Sequence, residues 1–271
     1  MSAPPEPGPA APMPRRPPWL EDGWPEFRAA PPWVTSEMVA SQPELVAPIL
    51  ASPEAAAIAR FAMSAADRGD PVVVSGCGTS EHGAQAIARL LDDALRARGH
   101  RGGLAESRQA FDAALDPRRG GLFIAVTHDG GTRATELAAE AARDAGARIA
   151  LVTGNAAAPL AAIADAVLVT PARDRSWCHT VAYVSAILAG GAIASHAMDA
   201  TVDAGALRAW LAAAVAENGQ AGRIADNFAG AAPLLAAGAG ADEITARELA
   251  LKVEEGPRLP AVARHLETLL H

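Results

Sequence analysis

Pro71-Val72-Val73-Val74-Ser75-Gly76-Cys77-Gly78-Thr79-Ser80 decides how this chain is read. The short valine-rich run predicts a buried strand over Pro71–Ser75. Two glycines follow, letting the backbone turn and approach a ligand closely. A helix then starts at once and is expected over Thr79–Arg98, closed by Gly99. A strand that feeds straight into a helix is the opening of a βαβ unit.

The same alternation continues outward. Leu122–Thr127, Arg148–Thr153 and Ala166–Thr170 read as further strands, and Leu104–Ser107 as a weaker one. Helices are predicted over Thr132–Ala145, Pro159–Ala164 and Thr180–Met198. Upstream, Ser52-Pro53-Glu54 is a helix start: a cap oxygen, a proline in the first turn and a carboxylate at the positive dipole end. Strands separated by helices of this length require right-handed crossovers and a buried parallel sheet, hence a doubly wound α/β fold. After Asp203 the pattern turns helical. Two helical runs lead to one strand candidate, Pro233–Ala237, then Gly238–Gly240, a helix over Asp242–Glu255 and a last helix over Pro257–Leu270. One strand makes no sheet, so this tail is expected to pack on the first domain or on another chain. Residues 1–33 hold eleven of the 21 prolines, with Trp19, Trp24 and Trp33 among them. Proline fixes φ and removes a donor, so this arm is either a flexible leader or a strap laid against the domain or a dimer mate. The divisions expected are a proline-rich flexible arm over 1–34, one α/β domain over 35–202 and a partial second unit over 203–271.

Composition narrows the function classes. The chain has 271 residues, half of them hydrophobic and only 4% aromatic, so the core is aliphatic and alanine-rich. A net charge of -8 without a Lys/Arg run argues against nucleic acid and anionic membranes, though not against small anions held by backbone N–H groups. Cys77 and Cys178 form neither a C-x-x-C pair nor a zinc spacing, and are expected as free thiols. No signal pattern opens the chain and no apolar stretch runs uninterrupted for about 18 residues; Val181–Ala194, broken by glycines, reads as a core helix. A cytoplasmic protein is the expectation.

In an open parallel sheet, ligands sit outside the carboxyl ends of the strands. Two loops there carry chemistry: Ser75–Ser80, whose hydroxyls and helix N–H groups suit a phosphate or sugar hydroxyls, and Thr127-His128-Asp129-Gly130-Gly131-Thr132. Each also has a plain structural reading, the first as a tight turn capped by Thr79, the second as a satisfied His–Asp loop pair. Neither is G-x-G-x-x-G, so no dinucleotide cofactor is expected, and no other cofactor or metal site is indicated. On the helix Asp242–Glu255, Glu243, Arg247 and Glu254 fall on a solvated face and Ala246, Leu249 and Val253 on a core face. Glu248, Lys252 and Glu255 form a separate charged stripe, flanked by Ile244 and Leu251.

At these residues the chain resembles the SIS (sugar isomerase) family, and in it the isomerase half of glucosamine-6-phosphate synthase. Met38…Gln42-Pro43 is similar to the family's first helix, M-x-x-E-I-x-E-Q-P. Gly76–Ser80 matches its G-C-G-T-S loop, Thr127–Thr132 takes the place of S-Q-S-G-E-T, and Thr153-Gly154-Asn155 that of its C-N strand end. Glu248–Glu255 lines up with E-G-A-L-K-L-K-E, and His271 falls on the histidine of E-L-K-H-G-P. The resemblance implies a flavodoxin-like three-layer αβα domain followed by an incomplete, mostly helical second SIS unit. It implies a sugar or sugar-phosphate ligand held by Gly76, Cys77, Gly78, Thr79, Ser80, Thr127, His128, Asp129, Thr132 and His179. It further implies Glu255 as the base that moves a proton between C1 and C2 of the open sugar and Lys252 as a contact to the sugar, with Glu248 as a further catalytic candidate. His271 would help to open the ring from a neighbouring subunit. A homodimer is expected on a separate ground: the tail's one strand and its Ala/Leu-rich helices carry apolar area that the first domain cannot wholly cover. Aldose–ketose isomerisation or amino-sugar deamination is the expected activity, with a non-catalytic sugar sensor or a truncated pseudoenzyme as the alternative. Departures bear on that choice. Asp129 stands where the family has a phosphate-binding serine and Gly131 where it has glutamate. His179 lies near the serine of V-A-S-T-K, and Val181 takes the place of its lysine. Most of a second SIS domain is expected to be missing beyond His271. Ser2 is no cysteine nucleophile, so a glutaminase half is not expected.

Overall fold

The computed structural model describes residues 25–101, 105–228 and 233–271. Short helices α1 (Val34–Ser41) and α2 (Val46–Leu50) lead into α3 (Pro53–Arg68), β1 (Val72–Gly76), α4 (Thr79–Ala97), β2 (Ala105–Gln109) and α5 (Ala110–Leu115). Then come β3 (Leu122–Val126), α6 (Arg133–Asp144), β4 (Arg148–Thr153), β5 (Ala166–Val169) and α7 (Val181–Met198). All five strands are parallel, in the order β2-β1-β3-β4-β5. The sheet is doubly wound, as expected.

Alternation within each strand separates the two cores. On β3, Leu122, Ile124 and Val126 face the layer built by α3, α4 and α7, while Phe123 and Ala125 face α5 and α6. Both faces are covered, so β1, β3 and β4 read as nearly unbroken apolar runs. The edge strand β2 is Ala-Glu-Ser-Arg-Gln and mostly not buried. A charged edge discourages pairing with other chains and also weakens the strand's sequence signature. Leu104, expected to open that strand, lies outside the described residues. Helix α7 has the length and apolarity of a membrane span, yet 61% of it is buried inside the protein, packed on α4 and α3. It is a core helix.

The tail departs from the expectation. After α8 (Ala204–Ala216) and α9 (Asn218–Phe228) come β6 (Leu234–Gly238), α10 (Ala241–Glu255), β7 (Ala261–His265) and α11 (Leu266–Leu270). Ala261–His265 is thus a strand rather than the start of the last helix, and it pairs in parallel with β6. Alanine and charged residues gave it a helical look; the ladder with β6 decides otherwise. This β6–α10–β7 unit repeats the geometry of β1–α4–β2. Gly78 and Gly240 hold the same conformation before their helices, φ 56 ψ -127 and φ 61 ψ -124. A Cβ at Gly76 would fall 2.5 Å from the carbonyl of Ser80, and one at Gly238 2.3 Å from that of Asp242. Both turns therefore demand glycine at both places.

Candidate functional site

The strand order reverses direction between β1 and β3, and the loops that leave these two strands face one crevice. They are the two loops singled out by sequence. Gly78, not Thr79, is the cap residue of α4, which frees the Thr79 hydroxyl for other partners. The β3 loop is clamped by the end of β4: Gly154 N–H and the Thr153 hydroxyl donate to the His128 carbonyl, and the Asn155 amide donates to that of Asp129.

A third segment, Pro171–Thr180, closes the crevice, and its anchor was not foreseen. Asp174 is fully buried. One oxygen accepts from the Ser176 N–H and hydroxyl, the other from the N–H groups of Val181 and Ala182 at the start of α7. This carboxylate caps the helix and fixes the loop that carries Trp177 and His179. It lies seven residues before the helix, a spacing that no capping pattern flags.

The crevice is a cleft of about 340 Å3 lined by Cys77, Gly78, Thr79, Ser80, His128, Asp129, Thr132, His179 and Glu255, together with Pro25 and Trp177. Of the other expected residues, Gly76 and Thr127 are buried behind the wall. Glu248 and Lys252 form a layer behind Glu255, and His271 is exposed at the far end of the tail.

Helix α10 brings its charged stripe inward. Glu248, only 5% exposed, accepts from the Thr79 hydroxyl at 3.2 Å and meets His82 Nδ1 at 2.6 Å. Lys252 Nζ donates to Thr79 at 2.7 Å and to Glu255 Oε2 at 2.5 Å. The core face expected from periodicity is thereby corrected: Ala246, Glu248 and Ala250 are buried, whereas Leu249 is 51% exposed. Polar partners on α4 outweigh the aliphatic pattern because they satisfy the carboxylate at the interface. His82 was missed, although it sits one turn after Thr79 on the same face of its helix.

His128 is neutral. Its Nε2 accepts the Asp174 N–H at 2.6 Å, and its ring lies 5.1 Å from that of His179. Burial, helped by His179, pulls its pKa down to about 4. Asp129 Oδ1 accepts from the N–H of Gly131 in its own loop, at 3.4 Å. The described lining holds two carboxylates, Asp129 and Glu255, and no Lys or Arg.

Residues 66–197 match the SIS domain family. The chain carries a SIS domain. Solved structures share this fold over most of the chain. A proposed phosphosugar isomerase of Silicibacter pomeroyi is 23% identical with TM-score 0.71, the alignment covering 88% of this chain and 73% of that one. The C-terminal domain of glucosamine-fructose-6-phosphate aminotransferase from Francisella tularensis is 14% identical with TM-score 0.71, covering 89% and 72%. Tagatose-6-phosphate ketose/aldose isomerase from Escherichia coli is 19% identical with TM-score 0.64, covering 90% and 70%. No curated protein sequence matches the chain significantly. The matched segment of the SIS domain includes both loops and the Asp174 anchor, while α10 lies outside it.

Proposed function

We propose that the cleft binds a sugar or sugar derivative and that the protein is an aldose–ketose isomerase or amino-sugar deaminase/isomerase with Glu255 as its base. The observation that carries this reading is the delivery of α10 to the first loop. Thr79, Glu248 and Lys252 form one bonded chain that ends on Glu255 in the cleft wall. Lys252 engages only Oε2 of Glu255 in that contact, leaving the other oxygen for proton transfer. In isomerisation, Glu255 would take the proton from C2 of the open aldose and return it to C1. A hydroxyl proton moves from O2 to O1, so the ketose is an isomer with no atoms gained or lost. A carboxylate is a suitable base α to a carbonyl when held within hydrogen-bond reach.

The same Lys252–Glu255 ion pair also favours a second reading. A base already occupied by a lysine suits a sugar sensor that binds without turnover. We further read the protein as a cytoplasmic homodimer, with residues 203–271 as part of a second SIS unit; His271, exposed here, would act in a partner's site.

Incubation with hexoses and hexosamines, phosphorylated and not, followed by NMR of the C1 and C2 protons, tests the reading. Glu255→Gln should lower turnover by about 10²–10⁴-fold and leave affinity nearly unchanged, since the amide is isosteric. Binding without turnover in the unaltered protein would establish the sensor instead.

A further inference from the structure

Beside the first cleft opens a larger one of about 780 Å3. Trp177 lines both. The chain also steps from one wall to the other twice, from Pro25 to Glu26 and from Glu255 to Gly256. The two clefts are therefore contiguous, and the catalytic helix ends at their boundary.

The charges in the second cleft cancel. Arg28 is bound to Glu26 at 2.7 Å and to Glu37 at 2.7 Å, and Arg175 reaches the same two carboxylates at 2.7 and 2.9 Å. This ring of four charges also ties residues 26–28 to the Asp174 loop, aided by the Glu26 N–H on the Arg175 carbonyl. The cleft is thus built, and among its described lining residues no unpaired Lys or Arg is offered to a phosphate. Its remaining surface is aromatic and hydroxylic. Phe27 is 73% and Trp177 59% exposed, their rings 5.9 Å apart with 37° between planes. Trp33 adds a third ring, and Thr35 and Ser36 supply hydroxyls.

Aromatic faces beside hydroxyls match a pyranose. Its C–H face lies on a ring while its hydroxyl rim finds polar partners. We propose that the second cleft takes a second neutral sugar residue, so that the ligand is of disaccharide size, one ring in each cleft. This rests on the sugar-binding reading of the first cleft and extends it to the class of ligand. A neutral ligand also agrees with Asp129 in the first cleft, where a phosphate would meet a carboxylate.

The test is calorimetry on the full chain with glucose, maltose, N-acetylglucosamine and N,N′-diacetylchitobiose, plus glucose 6-phosphate. At least one disaccharide should bind about tenfold more tightly than its own monosaccharide. Phe27→Ala, at an exposed position that leaves folding intact, should reduce that advantage by about two- to tenfold, the range of one aromatic contact. If a monosaccharide or glucose 6-phosphate binds and no disaccharide gains over it, the second cleft is not a sugar subsite, while the first reading stands. Should none of the five bind, both readings fall. A change of oligomeric state in Phe27→Ala, with the disaccharide advantage intact, would overturn the proposal in favour of a protein contact.

Discussion

Asp129 is one of the two carboxylates in the described lining of the cleft, and it bears directly on whether the ligand is phosphorylated. A phosphate about 4 Å from its carboxylate would be repelled by ~4 kcal/mol per unit charge at an effective dielectric of 20. A lost hydroxyl contact costs only ~1 kcal/mol. The described lining holds no Lys or Arg to relieve this. His128 is neutral, its Nε2 occupied by the Asp174 N–H, and the chain's single lysine, Lys252, is engaged by Glu255 and Glu248. Asp129→Ser should therefore tighten binding of hexose 6-phosphates by about tenfold or more, read by calorimetry. Micromolar binding of such a phosphate by the unaltered protein, with no gain in the serine variant, would remove the charge argument. His128 makes a separate prediction. Its folded pKa of about 4 lies below the ordinary 6.5, so the unfolded chain binds the extra proton between these values. Stability should fall as pH drops from about 6.5 to about 4, by up to about 3 kcal/mol. His128→Gln should flatten that part of a melting-temperature profile.

At the scale of elements, the site depends on two docking events. The first is the capping of α7 by Asp174, which places Trp177 and His179. Asp174→Ala strips the carboxylate acceptor from three backbone N–H groups, while the Ser176 hydroxyl keeps the Cys178 carbonyl, and should cost about 3 kcal/mol, seen as a lower urea midpoint with an unchanged slope. Ligand affinity should fall with it, because the loop loses its anchor. The second is α10 on α4 through Glu248, His82 and Thr79. Here the helical periodicity misled: the aliphatic face points partly to solvent and the charged stripe turns inward. Spacing along one helix reports which residues share a face. It cannot report which face has a partner, and His82 and Thr79 come from 166 and 169 residues away.

At the scale of the molecule, the tail leaves apolar surface open. Leu235, Leu249, Leu259, Leu266, Leu269 and Leu270 are all exposed, and α8 and α9 bury no residue at all. Among the described residues the β6–β7 sheet has two strands, too few for independent stability. Light scattering should show a dimer at micromolar concentration. A monomer at high micromolar concentration would refute the dimer and, with it, any role for His271 in a neighbouring site.

What the amino-acid sequence by itself determined is the doubly wound sheet and the two loops at its carboxyl edge. Those follow from local patterns: apolar runs of strand length, glycines at forced turns, and helices that begin at once. Tertiary structure alone decided the rest. The strand Ala261–His265 exists because β6 offers a ladder, the α10 stripe faces inward because α4 supplies hydrogen-bond partners, and Asp174 becomes an anchor because its loop folds back on a helix start. Each depends on a partner distant in sequence or on a loop's path, and the free energy of such a contact leaves no periodic trace in the chain.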